Sequence, residues 1–254
     1  MTASICVPRM CFPNHFSALA HKYVQYRPGY PDALFAFLAS QVREPSCAWD
    51  CGTGNGQAAL GLARHFHRVI ATDASPEQLA VAIQHPNIEY RLAQAESSGL
   101  ATASIDVCTV AQALHWFNLE KFYQEVRRVV RSGGILAVWA YAQSTVTPDV
   151  DAVISAIYRW LRPYFPPERR WIDEHYTTIP FPFPELSAPA FSMSALWTLE
   201  EMLGYYSSWS AIAAYQREHG HSPLPTIEHA LRTVWTQPRM LVQWTLHLRI
   251  GRIV

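Results

Sequence analysis

The stretch DCGTGNG, residues 50–56, follows an apolar CAW at 47–49 and leads into a helical pattern with Ala58, Ala59, Leu60, Leu62 and Ala63 on it. A strand, a glycine turn and a helix start are therefore expected in that order. Glycines such as Gly52 and Gly54 adopt positive φ without a Cβ penalty and let a ligand lie against bare backbone, while the helix start turns N–H groups toward it. A second apolar run at 69–72 ends on Asp73. In a doubly wound sheet an acid there stands beside the glycine turn, where its carboxylate accepts the hydroxyls of a ribose. Each feature has a bland alternative. A glycine turn also serves close helix packing, and an acid at a strand end also caps the next helix, a job that Ser75 and Pro76 could share here. The two together, after a strand and before a helix, predict a nucleoside site at the carboxyl ends of adjacent parallel strands.

The turn reads GxGxG rather than GxGxxG, with Asp50 before its first glycine. A pyrophosphate gains nothing from an acid at that point, whereas a cationic ligand group such as an amino-acid ammonium does. In these respects the segment resembles motif I of class I S-adenosylmethionine-dependent methyltransferases. The resemblance continues along the chain. AQAE at 93–96 stands where that family meets adenine, although the family often has an acid where Gln94 is. AQALHWF at 111–117 resembles the motif after the fourth strand in the trans-aconitate methyltransferase-like and ubiquinone-biosynthesis-like branch. YVQYRPGYP at 23–31 resembles that branch's N-terminal lid, and SSWSAIAAY at 207–215 with WTLHLRIGR at 244–252 resembles its late signatures.

The resemblance implies an α/β fold, a doubly wound and mainly parallel seven-stranded sheet with a helical and aromatic lid elaboration, whose last strand inserts antiparallel between the fifth and sixth. It implies S-adenosyl-L-methionine as cofactor, held by Tyr23, Arg27, Asp50, Gly52, Gly54, Asp73, Ala74, Ala95, Glu96, Gln112 and His115. Arg27 would pair with the cofactor carboxylate, and Tyr23, Tyr26 and Tyr30 would close over the sulfonium with cation–π help, or else pack against a helix. His115 is the candidate general base, since imidazole titrates near neutrality, with a pocket-wall role as the alternative. Tyr26, Trp116, Trp139, Tyr141, Trp171, Tyr205 and Trp209 are the candidate acceptor contacts. Aromatic residues there suit a flat or apolar acceptor, or form the core of the elaboration itself.

The domain plan that follows is a tail at 1–15, expected to be disordered, a cofactor-binding core with its lid at 16–142, an acceptor-side elaboration at 143–240 with the sixth strand, and a final strand at 241–254. Within it a helix is expected at 31–42, a helix at 119–131 stopped by SGG at 132–134, a fifth strand at 135–141, a packed proline-rich loop from YFPPERRW to IPFPFPE, and two helical stretches over 199–235.

With 254 residues, half of them hydrophobic, the chain can bury one full core plus an elaboration. The net charge is zero and the lysines are Lys22 and Lys121, so no electrostatic footprint for nucleic acid is visible. A small-molecule substrate is expected, with no membrane partner and a monomer or homodimer. The arginines at 127–131 and 169–170 are expected on solvated helix faces. Five cysteines, Cys6, Cys11, Cys47, Cys51 and Cys108, suit a reducing, cytoplasmic setting, and no secretory signal is read at the start. The pairs His65 with His67 and His219 with His221 lack cysteine or carboxylate partners in sequence, so no metal is expected. Two other classes share parts of the pattern. A nicotinamide-dependent oxidoreductase would share the turn and the ribose acid, but neither lysine has a tyrosine four residues before it. A non-catalytic cofactor-binding protein would keep the turn without turnover.

Overall fold

The computed structural model of the protein describes residues 28–254. Strand β1 (Cys47–Cys51), β2 (Arg68–Asp73), β3 (Ile88–Leu92), β4 (Ile105–Ala111) and β5 (Val130–Ala140) pair in parallel, and β7 (Met240–Arg252) runs antiparallel between β5 and β6 (Phe191–Trp197). The sheet order is β3-β2-β1-β4-β5-β7-β6. The order reverses at β1 and β4, where the crevice at the carboxyl ends of the strands receives ligands in open α/β sheets. Seven strands and the antiparallel last strand match the expectation.

Alternation along the strands divides the core into two layers. On β5, Ile135, Ala137 and Trp139 enter one buried cluster with Leu34, Phe35 and Leu38, while Leu136, Val138 and Ala140 enter the other with Phe122, Val126 and Val129. The first layer is covered by α1 (Asp32–Ser40), α2 (Gln57–Leu62) and α5 (Pro148–Leu161), and the second by α4 (Leu119–Val129). A short α3 (Pro76–Ala80) follows β2, with the Ser75 hydroxyl accepting from the Gln78 N–H at 3.2 Å and Pro76 in the first turn.

Three boundaries differ from the sequence reading. Helix α4 stops at Val129, because Val130 already pairs with Ile105 and the ladder shifts register before Ile135 meets Val107. The SGG segment thus forms an irregularity inside β5, with Gly133 at φ +83, rather than the connection between a helix and a strand. The two helical stretches expected after β6 are three, α7 (Leu199–Ser207), α8 (Ser210–His219) and α9 (Leu224–Arg232), since Gly220 ends α8 in the left-handed region and Pro223 restarts the chain. The proline-rich segment holds a short helix, α6 (Arg169–Asp173), before its loop, and that loop is pinned by arginines. Arg127 donates to the Pro182 carbonyl at 3.0 Å, and Arg249 donates to the Tyr176 and Ile179 carbonyls at 3.0 and 2.8 Å. Arg128 pairs with Glu125 and Arg131 with Asp106, so these arginines brace the fold instead of merely facing solvent.

Cys47, Cys51 and Cys108 are free thiols, and burial pushes the Cys51 and Cys108 thiols well up. Among the described residues no helix is long and apolar enough to cross a membrane.

Candidate active site

The glycine turn carries positive φ at Gly52 (+68), Gly54 (+57) and Gly56 (+87), but the glycines serve different ends. A Cβ on Gly52 would lie 2.7 Å from the Ala113 Cβ, so this glycine lets the turn sit against the loop after β4. A Cβ on Gly54 would meet nothing nearer than the Gln78 Oε1 at 3.7 Å, so its face is open. The Gly54 N–H donates to Asp73 Oδ2 at 2.8 Å and the Ser75 N–H donates to Asp73 Oδ1 at 2.9 Å. Parallel pairing of Asp50 with Ala71 and Cys51 with Thr72 brings the acid to the turn. Burial raises the Asp73 pKa above the ordinary carboxylate value, while those N–H groups pull it back.

Asp50 lies where its register puts it, opposite Thr109 on β4, and it is wholly buried. Its oxygens accept from Thr53 Oγ1 at 2.6 Å and Thr109 Oγ1 at 2.8 Å. Burial pushes its pKa up to about 6, against the pull of these hydroxyls. These hydroxyls tie the Asp50 carboxylate to the turn and to β4.

Beyond the ends of β4 and β5 an open cavity lies between the sheet edge and the helical elaboration. Its floor comes from Gln112, His115, Trp116 and Tyr141, and its far wall from Phe165, Arg169, Ile172, Tyr205 and Trp209. Gln112 turns the chain out of β4 with φ +57, and its side-chain amide donates to the Tyr141 carbonyl at 2.8 Å, which joins the two strand ends. His115 is almost fully buried, with Nδ1 2.9 Å from the Tyr176 hydroxyl. Burial, reinforced by the Arg169 charge, pushes its pKa down to about 3, so the ring is neutral.

A family model described as a methyltransferase domain matches residues 49–138. A Dictyostelium discoideum protein named as a methyltransferase is 36% identical over 236 residues, covering 91% of this chain and 89% of that one. A solved structure from Anaeromyxobacter dehalogenans, described as a type II methyltransferase, is 44% identical with a TM-score of 0.84, covering 90% of this chain and 99% of that one. The chain belongs to the class I S-adenosylmethionine-dependent methyltransferases. A Saccharomyces cerevisiae protein named as a probable S-adenosylmethionine-dependent methyltransferase is 29% identical over 168 residues, covering 62% of this chain and 57% of that one.

The methyltransferase structure brings together some of the sequence-predicted residues and separates others. Gly52 and Gly54 after β1 and Asp73 with the exposed Ala74 at the end of β2 come together at the carboxyl edge of the sheet. Ala95 is buried, and Glu96 accepts from the Asn118 N–H at 2.7 Å, which ties the segment after β3 to the start of α4. Gln112, His115, Trp116, Tyr141, Tyr205 and Trp209 all line the cavity. Trp139 does not. It is fully buried, edge-on to Tyr30 at 5.4 Å and Phe35 at 6.3 Å, because it points into the layer beneath α1. Trp171 also stays out of the cavity lining, packed against the second core cluster with the Arg170 guanidinium 5.2 Å from its ring. Tyr23, Tyr26 and Arg27 lie outside the described residues. His65 meets Asp32 at 3.0 Å and His219 meets the Tyr164 hydroxyl at 2.7 Å.

Sequence reasoning missed Arg169, which it placed on a solvated face. The guanidinium lies 5.0 Å from the Phe165 ring centroid and 5.5 Å from that of Tyr158, with Nε donating to the Tyr158 hydroxyl at 3.1 Å and Asp173 Oδ1 at 3.2 Å. Tyr176 was missed as well. Nothing in its local sequence marks it, whereas the i,i+4 spacing of Arg169 and Asp173 between aromatics was a usable signal.

Proposed function

We propose that this methyltransferase moves a methyl group from S-adenosylmethionine to an oxygen of a small-molecule acceptor held in the cavity, a carboxylate oxygen before a hydroxyl. The observation that carries the cofactor half is the open Gly54 face, with its N–H fixed on the Asp73 carboxylate. A cofactor's backbone-hugging portion fits where a Cβ would otherwise stand, and Asp73 retains lone pairs for ribose hydroxyls. Gly52, Ala74, Ala95, Glu96 and Gln112 complete the proposed cofactor side, and Asp50 supports it from beneath. When bound, the cofactor supplies an electrophilic methyl carbon on a sulfonium.

The chain's own work is alignment, exclusion of water and stabilisation of the acceptor. The acceptor oxygen forms a bond to the methyl carbon as the carbon–sulfur bond breaks, its electron pair remaining on sulfur. A hydroxyl acceptor must also release a proton, whereas a carboxylate has none to lose. Among the described cavity-lining residues none is a carboxylate, and His115, its pKa pushed down to about 3, is too weak a base to take that proton near neutral pH. This favours the carboxylate. Trp116, Tyr141, Tyr205 and Trp209 offer flat apolar walls to the rest of the acceptor. The AQALHWF motif, in its resemblance to the trans-aconitate methyltransferase-like branch, supports a small acceptor in a cytoplasmic setting.

Calorimetric titration of the full chain with S-adenosylmethionine, S-adenosylhomocysteine and NADH tests the cofactor half. Binding of the first two without the third is expected, and failure of a folded sample to bind either overturns the reading. Methyl transfer to a panel of small acids and phenols then ranks the acceptors.

A further inference from the structure

We infer that the Nε2–H of His115 and the Nη groups of Arg169 form a two-point site for a carboxylate on the acceptor, with Tyr176 as the positioning residue that fixes the ring's proton. The inference rests on the methyltransferase reading of the cavity.

The tautomer follows from the hydrogen-bond network. The Tyr176 hydroxyl is buried, and His115 Nδ1, at 2.9 Å, is its one hydrogen-bond partner among the described residues. A phenol has one proton and two acceptor sites. If it accepted from an Nδ1–H, its own buried proton would be left without a partner, so that proton goes to Nδ1 and the neutral ring carries its own proton on Nε2. Nε2 has no protein partner among the described residues, and the ring lines the cavity. His115 therefore presents a donor to the acceptor, which displaces the general-base role that its sequence position suggested. Protonation to imidazolium is opposed by burial and by the nearby Arg169 charge.

Tyr176 reaches this position through strained backbone. His175 and Tyr176 have φ of +56 and +59, a left-handed pair without glycine. Such residues are costly and persist where surrounding contacts over-determine them. Those contacts are present. The Tyr176 N–H donates to the Trp171 carbonyl at 2.7 Å, its own carbonyl accepts from Arg249 at 3.0 Å, and the His175 ring stacks on His247 at 3.7 Å. The strain delivers a phenol under His115 from a loop that would otherwise pass it by.

Arg169 supplies the charge. Its Nε is committed to Tyr158 and Asp173, and its Nη groups make no hydrogen bond to a described residue. Asp173 is shared with Arg162 at 3.4 Å, so two guanidinium groups face one carboxylate and the cluster keeps one positive charge. Burial works against the Arg169 charge, yet Tyr158, Asp173 and Tyr205 hold its pKa above the usual value. A guanidinium held by aromatic faces and one side of its fork, with the other side open, is pre-organised for a carboxylate.

The test uses the full chain saturated with S-adenosylhomocysteine, titrated calorimetrically with benzoate, phenylacetate and trans-cinnamate and with the methyl ester of each. At least one acid is expected to bind. Arg169→Met should weaken that acid by about tenfold or more, as for a lost charged hydrogen bond, and leave the ester and S-adenosylhomocysteine unchanged. Arg169→Lys should recover part of the loss and controls for packing. Equal acid affinity in Arg169→Met and the parent, or no acid binding by the parent complex, overturns the inference while leaving the methyltransferase reading intact. Absence of S-adenosylhomocysteine binding strikes the methyltransferase reading instead. Imidazole nitrogen NMR, assigned by comparison with His115→Gln, reads the tautomer directly. An Nε2–H ring that becomes a tautomer mixture in Tyr176→Phe supports the positioning role, and an Nδ1–H ring or imidazolium in the parent refutes it.

Discussion

Replacing Asp50 with Asn keeps the side chain's shape and removes a negative charge from a position with no exposure to water. Burial lifts the folded-state pKa from 3.8 to about 6. Below pH 4 the carboxyl is protonated in both folded and unfolded chains, so the favourable neutral form contributes fully to stability. As pH rises from 4 to 6 the unfolded chain ionises while the folded one holds its proton, and that contribution is lost. The gap corresponds to about 3 kcal/mol, complete above pH 6. Asn does not titrate, but one of the hydroxyls of Thr53 and Thr109 must turn to accept from its amide, at about 1 kcal/mol. Asp50→Asn should therefore be more stable than the parent by about 2 kcal/mol at pH 7.5, an advantage that vanishes toward pH 4. Urea unfolding followed by tryptophan fluorescence from pH 4.5 to 8 measures this, and subtraction of the two proteins isolates Asp50 from every other titrating group. A difference that does not vary with pH, or a less stable variant at pH 8, would refute the argument. The same variant should bind S-adenosylhomocysteine more weakly, because the turn loses the charge beneath it.

Asp73→Ala should weaken S-adenosylhomocysteine binding by about 1–3 kcal/mol in calorimetry, through lost ribose hydrogen bonds and a freed Gly54 N–H; unchanged affinity removes Asp73 from the site. Gly54→Ala should fold, with about 1 kcal/mol of left-handed strain, and lose cofactor binding, whereas Gly52→Ala should lose a further ~1–3 kcal/mol of stability because its Cβ meets Ala113 at 2.7 Å. Thermal melts with and without cofactor separate the two glycines, and equal destabilisation would contradict the division between packing and ligand approach. The kcat profile between pH 5 and 8 should show no His115 ionisation, since the ring's pKa is about 3. A limb near pH 6.5 that disappears in His115→Gln would count against the donor role.

The glycine turn and the acid beside it were legible in the sequence because their signals are local and the register does the rest. Glycines that need positive φ and an acid at a strand end are each visible over a few residues, and parallel pairing of β1 with β2 joins them. The acceptor side was legible only in part. Trp139 on β5 and Tyr141 just past its end are two residues apart, so alternation treats them alike. What separates them is the reach of α1, which covers Trp139 and leaves Tyr141 at the edge. Arg169 reads as one of a charged triplet, and its burial depends on Tyr158 from α5 and Phe165 from the following turn. The early start of β5 was hidden because Val129 and Val130 suit either a helix end or a strand, and tertiary pairing with Ile105 decided it.

The electrostatics of the two halves bear on turnover as well as on binding. Acidic groups, Asp50 and Asp73, gather under the glycine turn, while Arg169 and the Nε2–H of His115 gather across the cavity. A cationic methyl donor and an anionic acceptor each find complementary charge in such a site. In the proposed reaction, transfer of the methyl group to a carboxylate cancels the sulfonium charge and the carboxylate charge together, so both products lose the electrostatic part of their hold in one step. A site built this way binds its reactants more tightly than its products, and its expected signature is an acid whose affinity for the complex exceeds that of its own methyl ester. If ester and acid bound equally well, Arg169 would be reduced to a brace between α5 and α6, and release of the ester would need another cause.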